Sequence, residues 1–138
     1  MTTQQRSSQA LPIALWVAQV VLAGSLIWGA GMKLFQPVEA LAALWPWAGQ
    51  VPVALLKLTG IVDLLGALGL LLPSLLRIQP KLTPMAAIGI IALMLAASIF
   101  HIMRGEASAI GANIVFALLA AFIAWGRLKK APITSSRK

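Results

Sequence analysis

The hydrophobic positions of the chain fall into four long apolar runs, separated by short stretches that are polar or contain proline. A helix crosses a bilayer core of about 30 Å with about 20 apolar residues, and each run is close to that length. The pattern predicts four membrane-spanning helices, at about residues 11–35, 53–72, 84–103 and 109–125. The expected fold class is therefore all-α, an integral membrane four-helix bundle over residues 11–126. Short tails would flank it at residues 1–10 and 127–138.

Helix boundary signals support the last three spans. Pro52 and Pro73 bracket the second span, and Thr83 followed by Pro84 has the form of an N-cap with proline in the first turn. Gly126, with the basic sequence "RLKK" behind it, is the expected end of the fourth span. Each span is thus predicted to end at a proline, a glycine or a polar turn.

The stretch "QPVEALAALWPWAGQVP", between the first and second spans, is too short to cross a membrane. Its Trp45 and Trp47 suit the boundary between membrane and water, so we predict a short interfacial helical or re-entrant segment here. The first apolar run extends past the 7 to 15 residues of a signal-peptide core and has only Arg6 before it. We therefore expect it to be an uncleaved helix.

Composition supports a membrane protein and excludes several kinds of chemistry. The chain is 60% hydrophobic, has a mean hydropathy of +0.93 and contains only 10% charged residues. A net charge of +8 in so apolar a chain indicates contact with anionic lipid head groups rather than with nucleic acid. Cysteine is absent, which excludes disulfides and thiolate ligands, and a single histidine predicts neither a metal site nor a haem pair.

The basic residues are distributed unevenly between the two sides of the membrane. Four spans place both termini on one side, together with the loop between the second and third spans. That side collects Arg6, Arg77, Lys81, Arg127, Lys129, Lys130, Arg137 and Lys138, and the other side has Lys33, Lys57 and Arg104. The positive-inside rule then predicts a multi-pass protein of the bacterial inner membrane with both termini in the cytoplasm. All three acidic residues, Glu39, Asp63 and Glu106, would lie at mid-membrane or toward the outer face.

Asp63 is the principal candidate site residue because it interrupts an apolar span. Its neighbours three and four residues away on a helix are small, namely Thr59, Gly60, Gly66 and Ala67. Small residues mark helix contacts in membranes, so Asp63 is expected to point into the bundle. It either locks helices together as a protonated or paired group, or takes part in function, as acidic residues inside membranes often do.

Lys33 is the first candidate partner for Asp63. It closes the first span on a face shared with Trp28, and it either pairs inside the bundle or extends to the outer interface. Lys57 lies six residues from Asp63 and therefore on another helical face, so we expect it to extend to the interface.

The remaining candidates lie at the end of the third span and in the fourth. His101 is either a hydrogen-bonded interface residue or a group for proton exchange, since histidine titrates near neutral pH. Arg104 and Glu106 share the following turn and form either a solvated ion pair or part of the site. Asn113 is either an interhelical contact or a ligand contact.

These polar groups come from four spans and fall at similar depth. We therefore predict one pocket open to the outer leaflet, with Thr59 beside Asp63 at its floor and Lys33, His101, Arg104 and Asn113 around it. The inner half of the bundle, including Leu70, Ile90 and Leu118, is expected to be packed and dry.

Three short motifs resemble those of the DoxX-like small membrane proteins. They are "GAGMKLF" at the end of the first span, "GIVDLLGALGLLLP" in the second and "FHIMRGE" closing the third, and the resemblance covers about residues 11–126. Asp63 stands where the family often carries glutamate. The resemblance implies a four-helix integral membrane protein related to proteins associated with quinone-linked membrane oxidoreductases.

Two functional hypotheses follow from the residues and the resemblance together. In the first, the protein is an accessory, non-catalytic subunit that binds a quinone or a similar lipophilic molecule and serves a membrane or periplasmic redox partner. In the second, it is an assembly factor or small transporter whose buried charges are structural. The chain has no cysteine, histidine pair or nucleotide loop with which to carry electrons alone, so we do not expect an enzyme by itself. A homo-oligomer is compatible with either hypothesis.

Overall fold

The computed structural model describes residues 3–106 and 110–134, and within these ranges it contains helices and no strand. The five α-helices are α1 (Thr3–Phe35), α2 (Val38–Leu44), α3 (Val53–Leu76), α4 (Leu82–Met103) and α5 (Gly111–Trp125). A 3₁₀ turn, Pro46–Gly49, follows α2, and a π-helical turn, Gly126–Lys130, continues α5. The all-α prediction is confirmed.

Four of these helices are long and apolar enough to cross a membrane, over Gln9–Phe35, Val53–Leu76, Leu82–Met103 and Gly111–Lys130. They pack as a closed ring in which α1 contacts α3, α3 contacts α4, α4 contacts α5 and α5 contacts α1. The chain is thus a multi-pass membrane protein built as a four-helix bundle. We call the end with residues 36–52 and 104–106 the linker end, and the end with residues 77–81 and 126–134 the tail end.

Two predicted boundaries lie elsewhere, and a third falls outside the description. Helix α1 begins at Thr3 rather than near Leu11, because residues 3–10 contain neither glycine nor proline to interrupt it. The second span runs four residues past its expected end. The predicted start of the fourth span, at Ala109, lies outside the described residues, as do the basic residues Arg137 and Lys138.

Pro73 does not end α3, contrary to the prediction. A proline inside a helix leaves the carbonyl four residues earlier without its usual donor. Here that carbonyl belongs to Gly69, and it accepts a hydrogen bond of 3.2 Å from the hydroxyl of Thr83 at the start of α4. The helix therefore continues to Leu76 and ends at Arg77, whose φ of 55° is left-handed. Thr83 consequently makes no capping bond, which corrects its predicted role as an N-cap.

The α-helix of the fourth span ends at Trp125 with Gly126 as its C-cap, as predicted, but the span continues to Lys130 as a π-helical turn. A Cβ at this position would overlap the side chain of Leu15 on α1, so glycine allows the chain to pass close to α1 and to continue as a π-helical turn. This turn places Arg127 against the bundle, where it is buried. Arg127 is the first residue of the segment that the sequence assigns to the C-terminal tail, and its side chain is packed into the bundle.

The main core lies along the axis of the ring, between the four long helices. Its members are mostly small or branched apolar residues: Ala18, Leu22, Ala23, Leu26, Ala67, Leu70, Ala87, Ile90, Met94, Ala120, Ile123 and Ala124. Leu70 and Ile90 are among them, as predicted. Leu118 is 66% exposed and belongs to the lipid-facing surface, because it lies about 200° around α5 from the buried Ala120.

A second, smaller core fixes the linker between α1 and α3. Leu41 of α2, Ala48 of the 3₁₀ turn and Leu56 of α3 are buried together, and Trp45 and Trp47 pack against them. The short helical segment that the sequence predicts is confirmed. It is seated on the bundle at the linker end.

Candidate functional site

The candidate site begins with an ion pair between α1 and α3. Lys33 Nζ lies 2.8 Å from Asp63 Oδ2, and Asp63 is only 6% exposed. Gly60 makes the pair possible, since a Cβ there would lie only 3.0 Å from the Cβ of Lys33. The two helices therefore approach closely one turn from Asp63. Asp63 points into the bundle as expected, and of the two alternatives for Lys33 the structure shows the buried pairing.

Trp47 connects this ion pair with the end of α4. The Lys33 ammonium lies 5.7 Å from the centre of the Trp47 ring, a cation–π distance. The same indole meets His101 edge to face at 6.2 Å and Phe100 at 6.1 Å. Trp47 was predicted only to lie at the membrane boundary. Trp47 lies between Pro46 and Gly49 in a linker whose two ends are fixed by α1 and α3. This position was the sequence signal for a more specific role.

A second charged cluster lies in the turn after α4. Glu106 Oε1 is 3.2 Å from His101 Nδ1 and accepts a hydrogen bond of 2.9 Å from Arg104 Nε. The turn folds back because Gly105 has a φ of 77°, which lets the Glu106 amide donate to the His101 carbonyl at 2.8 Å. The bond from Arg104, followed by that from His101, holds the pKa of Glu106 below its ordinary value.

Arg104 also ties this turn to the linker. Its Nη2 donates to the side-chain oxygen of Gln50, which immediately follows the 3₁₀ turn. Gln50 was not predicted as a site residue, because nothing in the local sequence distinguishes it from other polar linker residues. We call the seven residues joined by these contacts the linker-end layer: Lys33, Trp47, Gln50, Asp63, His101, Arg104 and Glu106.

Three of the predicted site residues do not join this layer through the contacts that the structure describes. Thr59 donates within its own helix, to the Leu56 carbonyl at 2.7 Å. Trp28 is exposed and meets Trp45 edge to face at 5.8 Å. Asn113 carries a buried Nδ2 for which the described residues supply no hydrogen-bond partner. The side-chain amide of Asn113 therefore has an N–H donor that is not used within the described residues.

Lys57 also lies at this end but makes a separate contact. Its ammonium donates at 2.9 Å to the carbonyl of Leu34, one of the last carbonyls of α1. A lysine at the C-terminus of a helix satisfies an orphan acceptor and complements the helix dipole. Lys57 therefore helps to hold the ends of α1 and α3 together instead of simply extending to the interface.

The linker-end layer contains hydrogen-bond donors held in place by their contacts. It also contains the carboxylates of Asp63 and Glu106 and the aromatic rings of Trp47 and His101. Within residues 3–106 and 110–134 no three histidine, cysteine or acidic side chains are close enough together to hold a metal ion. The chemistry it can offer is hydrogen bonding, charge stabilisation and proton exchange at the Asp63 carboxylate, the His101 ring and the Lys33 ammonium.

Two open clefts lie at the tail end of the bundle, with volumes of about 450 and 740 Å³. Arg127 contributes to the walls of both clefts. Both clefts open at the end of the bundle, beyond the core that contains Leu70 and Ile90.

The tail end also contains a buried polar network. Arg127 Nε donates to Gln19 Oε1 at 2.7 Å, and Gln19 Nε2 donates to the Leu70 carbonyl at 2.7 Å. The hydroxyls of Ser74 and Thr83 lie 2.7 Å apart, and since Thr83 donates to the Gly69 carbonyl, Ser74 is the donor between them. The sequence signal for this network was Gln19, the one amide side chain inside the first apolar run.

The bundle and its linker match a known protein family. A family model described as "DoxX-like family" matches residues 17–123, which cover most of the bundle and the whole linker. Comparisons with curated proteins and with solved structures gave no match.

Proposed function

The chain belongs to the DoxX-like family of small four-helix membrane proteins, and we propose that its linker-end layer binds the polar head of a lipophilic small molecule. A quinone, or a compound with a similar ring and carbonyl groups, is the ligand class that we propose. The protein acts as a non-catalytic accessory to a membrane or periplasmic redox partner, which supplies or removes the electrons.

The observation that carries this proposal is the Lys33–Asp63 ion pair inside a membrane-spanning bundle. The two charged side chains expose only 14% and 8% of their surface. Burying two charges is costly even when they are paired, and apolar side chains would often be as stable in their place. Ionisable groups kept at such a position are therefore a default hypothesis for function in membrane proteins.

The chemistry of the layer suits a ring with carbonyl groups. The Lys33 ammonium can donate to a carbonyl oxygen, and the Asp63 carboxylate can accept or return a proton. Trp47, Phe100 and His101 meet edge to face at 5.4 to 6.2 Å and supply aromatic surface beside these groups. The spare donor of Asn113 is a further candidate contact for the ligand.

The proposed orientation follows from charge. Arg77, Lys81, Arg127, Lys129 and Lys130 all lie at the tail end, which supports cytoplasmic termini in a bacterial inner membrane by the positive-inside rule. The linker-end layer would then face the outer leaflet, where a lipophilic ligand can enter from the bilayer.

A second candidate function is structural, and one observation favours it. The polar groups of the layer satisfy one another: Lys33 bonds Asp63, Arg104 bonds Glu106, and His101 Nδ1 lies 3.2 Å from Glu106 Oε1. Such a set would fix α1, α3, α4 and the linker in one register, as expected for an assembly factor or small transporter with structural charges. A homo-oligomer fits either candidate.

Extraction of bound lipids from the purified protein tests the first candidate against the second. We expect wild type to retain a quinone or similar molecule after detergent purification, detected by chromatography and mass spectrometry. Asp63→Asn should lose the molecule. Its helical content and a thermal unfolding transition should still be detectable, which would show that the variant is folded.

Glu39→Gln is the matched control, because Glu39 lies on α2 at the same end and is exposed. It should retain the ligand as wild type does. Wild-type protein that carries no such molecule, or equal retention in both variants, would contradict the ligand-binding proposal and leave the structural candidate.

A further inference from the structure

The tail end holds a buried cation without an acidic partner. Arg127 is only 4% exposed. Its Nε donates to Gln19, its Nη1 donates to the Ala131 carbonyl at 2.9 Å, and its Nη2 is buried with no hydrogen-bond partner among the described residues. A buried guanidinium with an unused donor is costly, because each unsatisfied polar group loses its hydration without compensation.

No acidic side chain of this chain can neutralise Arg127. The sequence has three such residues: Glu39 lies in α2, Asp63 pairs with Lys33, and Glu106 pairs with Arg104. All three belong to the opposite half of the molecule. A counter-anion for Arg127 would therefore have to be a group other than these three carboxylates.

The larger cleft is built to receive such an anion. Arg127, Arg77 and Lys130 all contribute to its wall, and no acidic residue of the described part of the chain lines it. Arg77 Nε donates to the Thr134 carbonyl at 2.8 Å, and this bond holds the segment after the π-helical turn across the bundle end. The indole of Trp16 lies 5.5 Å from the Arg127 guanidinium carbon and supports its planar face.

We propose that this tail-end cleft is a phosphate-binding site in which Arg127 is the central ligand and Lys130 and Arg77 form the rim. The planar guanidinium presents paired donors that match phosphate oxygens. Arg127 lies in the last turn of a spanning helix, at the depth where lipid head groups are expected. Basic pockets between membrane helices bind anionic head groups. The phosphate can therefore come from an anionic phospholipid or from free inorganic phosphate. The site is separate from the linker-end layer and does not depend on its proposed ligand.

The test measures binding to the full-length protein in an uncharged detergent. The probes are short-chain phosphatidylglycerol, short-chain phosphatidylcholine at the same concentration, and inorganic phosphate against chloride at matched ionic strength. Intrinsic tryptophan fluorescence follows thermal unfolding at each concentration. We expect phosphatidylglycerol to raise the unfolding temperature in a saturable way, and phosphatidylcholine to do so much less. Saturation by inorganic phosphate as well would show that the site also takes the free ion.

Three variants distinguish a built site from the general positive charge of the tail. Arg127→Gln should weaken phosphatidylglycerol binding about tenfold or more, since it removes charge-assisted hydrogen bonds. Lys129→Gln removes the same charge from the same turn, but Lys129 is exposed and lines neither cleft, so binding should stay within about twofold of wild type. Lys130→Gln, on the rim, should give an intermediate loss and serves if Arg127→Gln fails to fold.

Gln19→Glu tests the counter-ion argument directly. It would place a carboxylate where the Gln19 side-chain oxygen now accepts from Arg127 Nε at 2.7 Å, and so supply an internal counter-ion. We expect this variant to bind phosphatidylglycerol more weakly than wild type while remaining folded. Equal losses in Lys129→Gln and Lys130→Gln, undiminished binding in Gln19→Glu, or no difference between the two lipids would overturn the proposal.

Discussion

Lys33 and Asp63 stand at the same depth on neighbouring helices that run in opposite directions, and their 2.8 Å contact is the only side-chain hydrogen bond that either group makes among the described residues. Each charge therefore depends on the other. Loss of one partner leaves a buried, uncompensated charge, whereas loss of both removes the problem.

A double-mutant cycle on this pair is the first prediction. Lys33→Met alone and Asp63→Leu alone should each destabilise the protein by about 3 to 5 kcal/mol, because each leaves a buried charge unpaired. The double variant should recover much of that loss. Thermal or denaturant unfolding in a fixed detergent measures the cycle, and additive losses would show that the two side chains do not interact energetically.

The second prediction concerns the glycine that admits the π-helical turn. Gly126→Ala should destabilise the protein by about 1 to 3 kcal/mol, since its Cβ would overlap the side chain of Leu15. Gly24→Ala on α1 is the matched control, because among the described residues no atom beyond the local helix backbone lies within 4 Å of a Cβ at that position. The control should unfold at or above the wild-type temperature. Equal effects of the two changes would mean that α1 and the turn are not closely packed.

The third prediction is a pH dependence at the linker end. The charged form of Glu106 is favoured in the folded protein by Arg104 and His101, so its pKa is lowered. Its contribution to stability is therefore present at neutral pH and is lost as the pH falls below the ordinary glutamate range and through this lowered pKa. Carboxyl NMR of glutamate-labelled protein should show the Glu106 titration moving to higher pH in Arg104→Gln. An unchanged titration in that variant would remove Arg104 as the cause.

The fourth prediction uses the unpartnered amide of Asn113. Asn113→Leu breaks no hydrogen bond from the buried Nδ2, because that atom has no partner among the described residues. The variant should therefore unfold at the wild-type temperature or above it. If Asn113 also contacts the proposed lipophilic ligand, retention of that ligand should fall in the same variant. Clear destabilisation of the ligand-free protein would show that the amide has a structural partner.

The fifth prediction is the membrane orientation. Reporters that are active only in the cytoplasm or only in the periplasm, fused after residue 138, should report a cytoplasmic C-terminus. A reporter inserted between residues 106 and 110 should give the opposite result, since α5 separates the two positions. A periplasmic C-terminus would reverse the orientation and place the linker-end layer in the inner leaflet.

Periodic and compositional signals were sufficient for the fold because four apolar runs of bilayer length admit few arrangements. The inward direction of Asp63 was also predictable, because its helical neighbours are small. The exact helix ends were less accessible. Pro73 has a local preference that ends helices, and a tertiary contact with Thr83 overrides it. Gly126 ends the α-helix of the fourth span, but the chain continues as a π-helical turn packed against Leu15.

The candidate site was predictable only in part, for a related reason. Charged residues in apolar spans identify themselves, which is why Lys33, Asp63 and His101 were found. The sequence next to Trp47, Gln50 and Arg127 does not indicate their contacts, because these contacts depend on how the linker and the last turn fold back. From the sequence alone, a residue such as Arg127 that follows the last apolar span is assigned to a tail. Its position against the bundle becomes evident only from the path of the backbone.

The bond from Thr83 to the Gly69 carbonyl has a consequence for how the protein enters its membrane. Pro73 leaves an open acceptor in α3, and an open acceptor in hydrocarbon is strongly unfavourable. The donor that closes it arrives only with the first turn of the next helix, 14 positions further along the chain. Insertion of α3 by itself is therefore incomplete, and α3 and α4 are expected to leave the insertion machinery as a single helical hairpin.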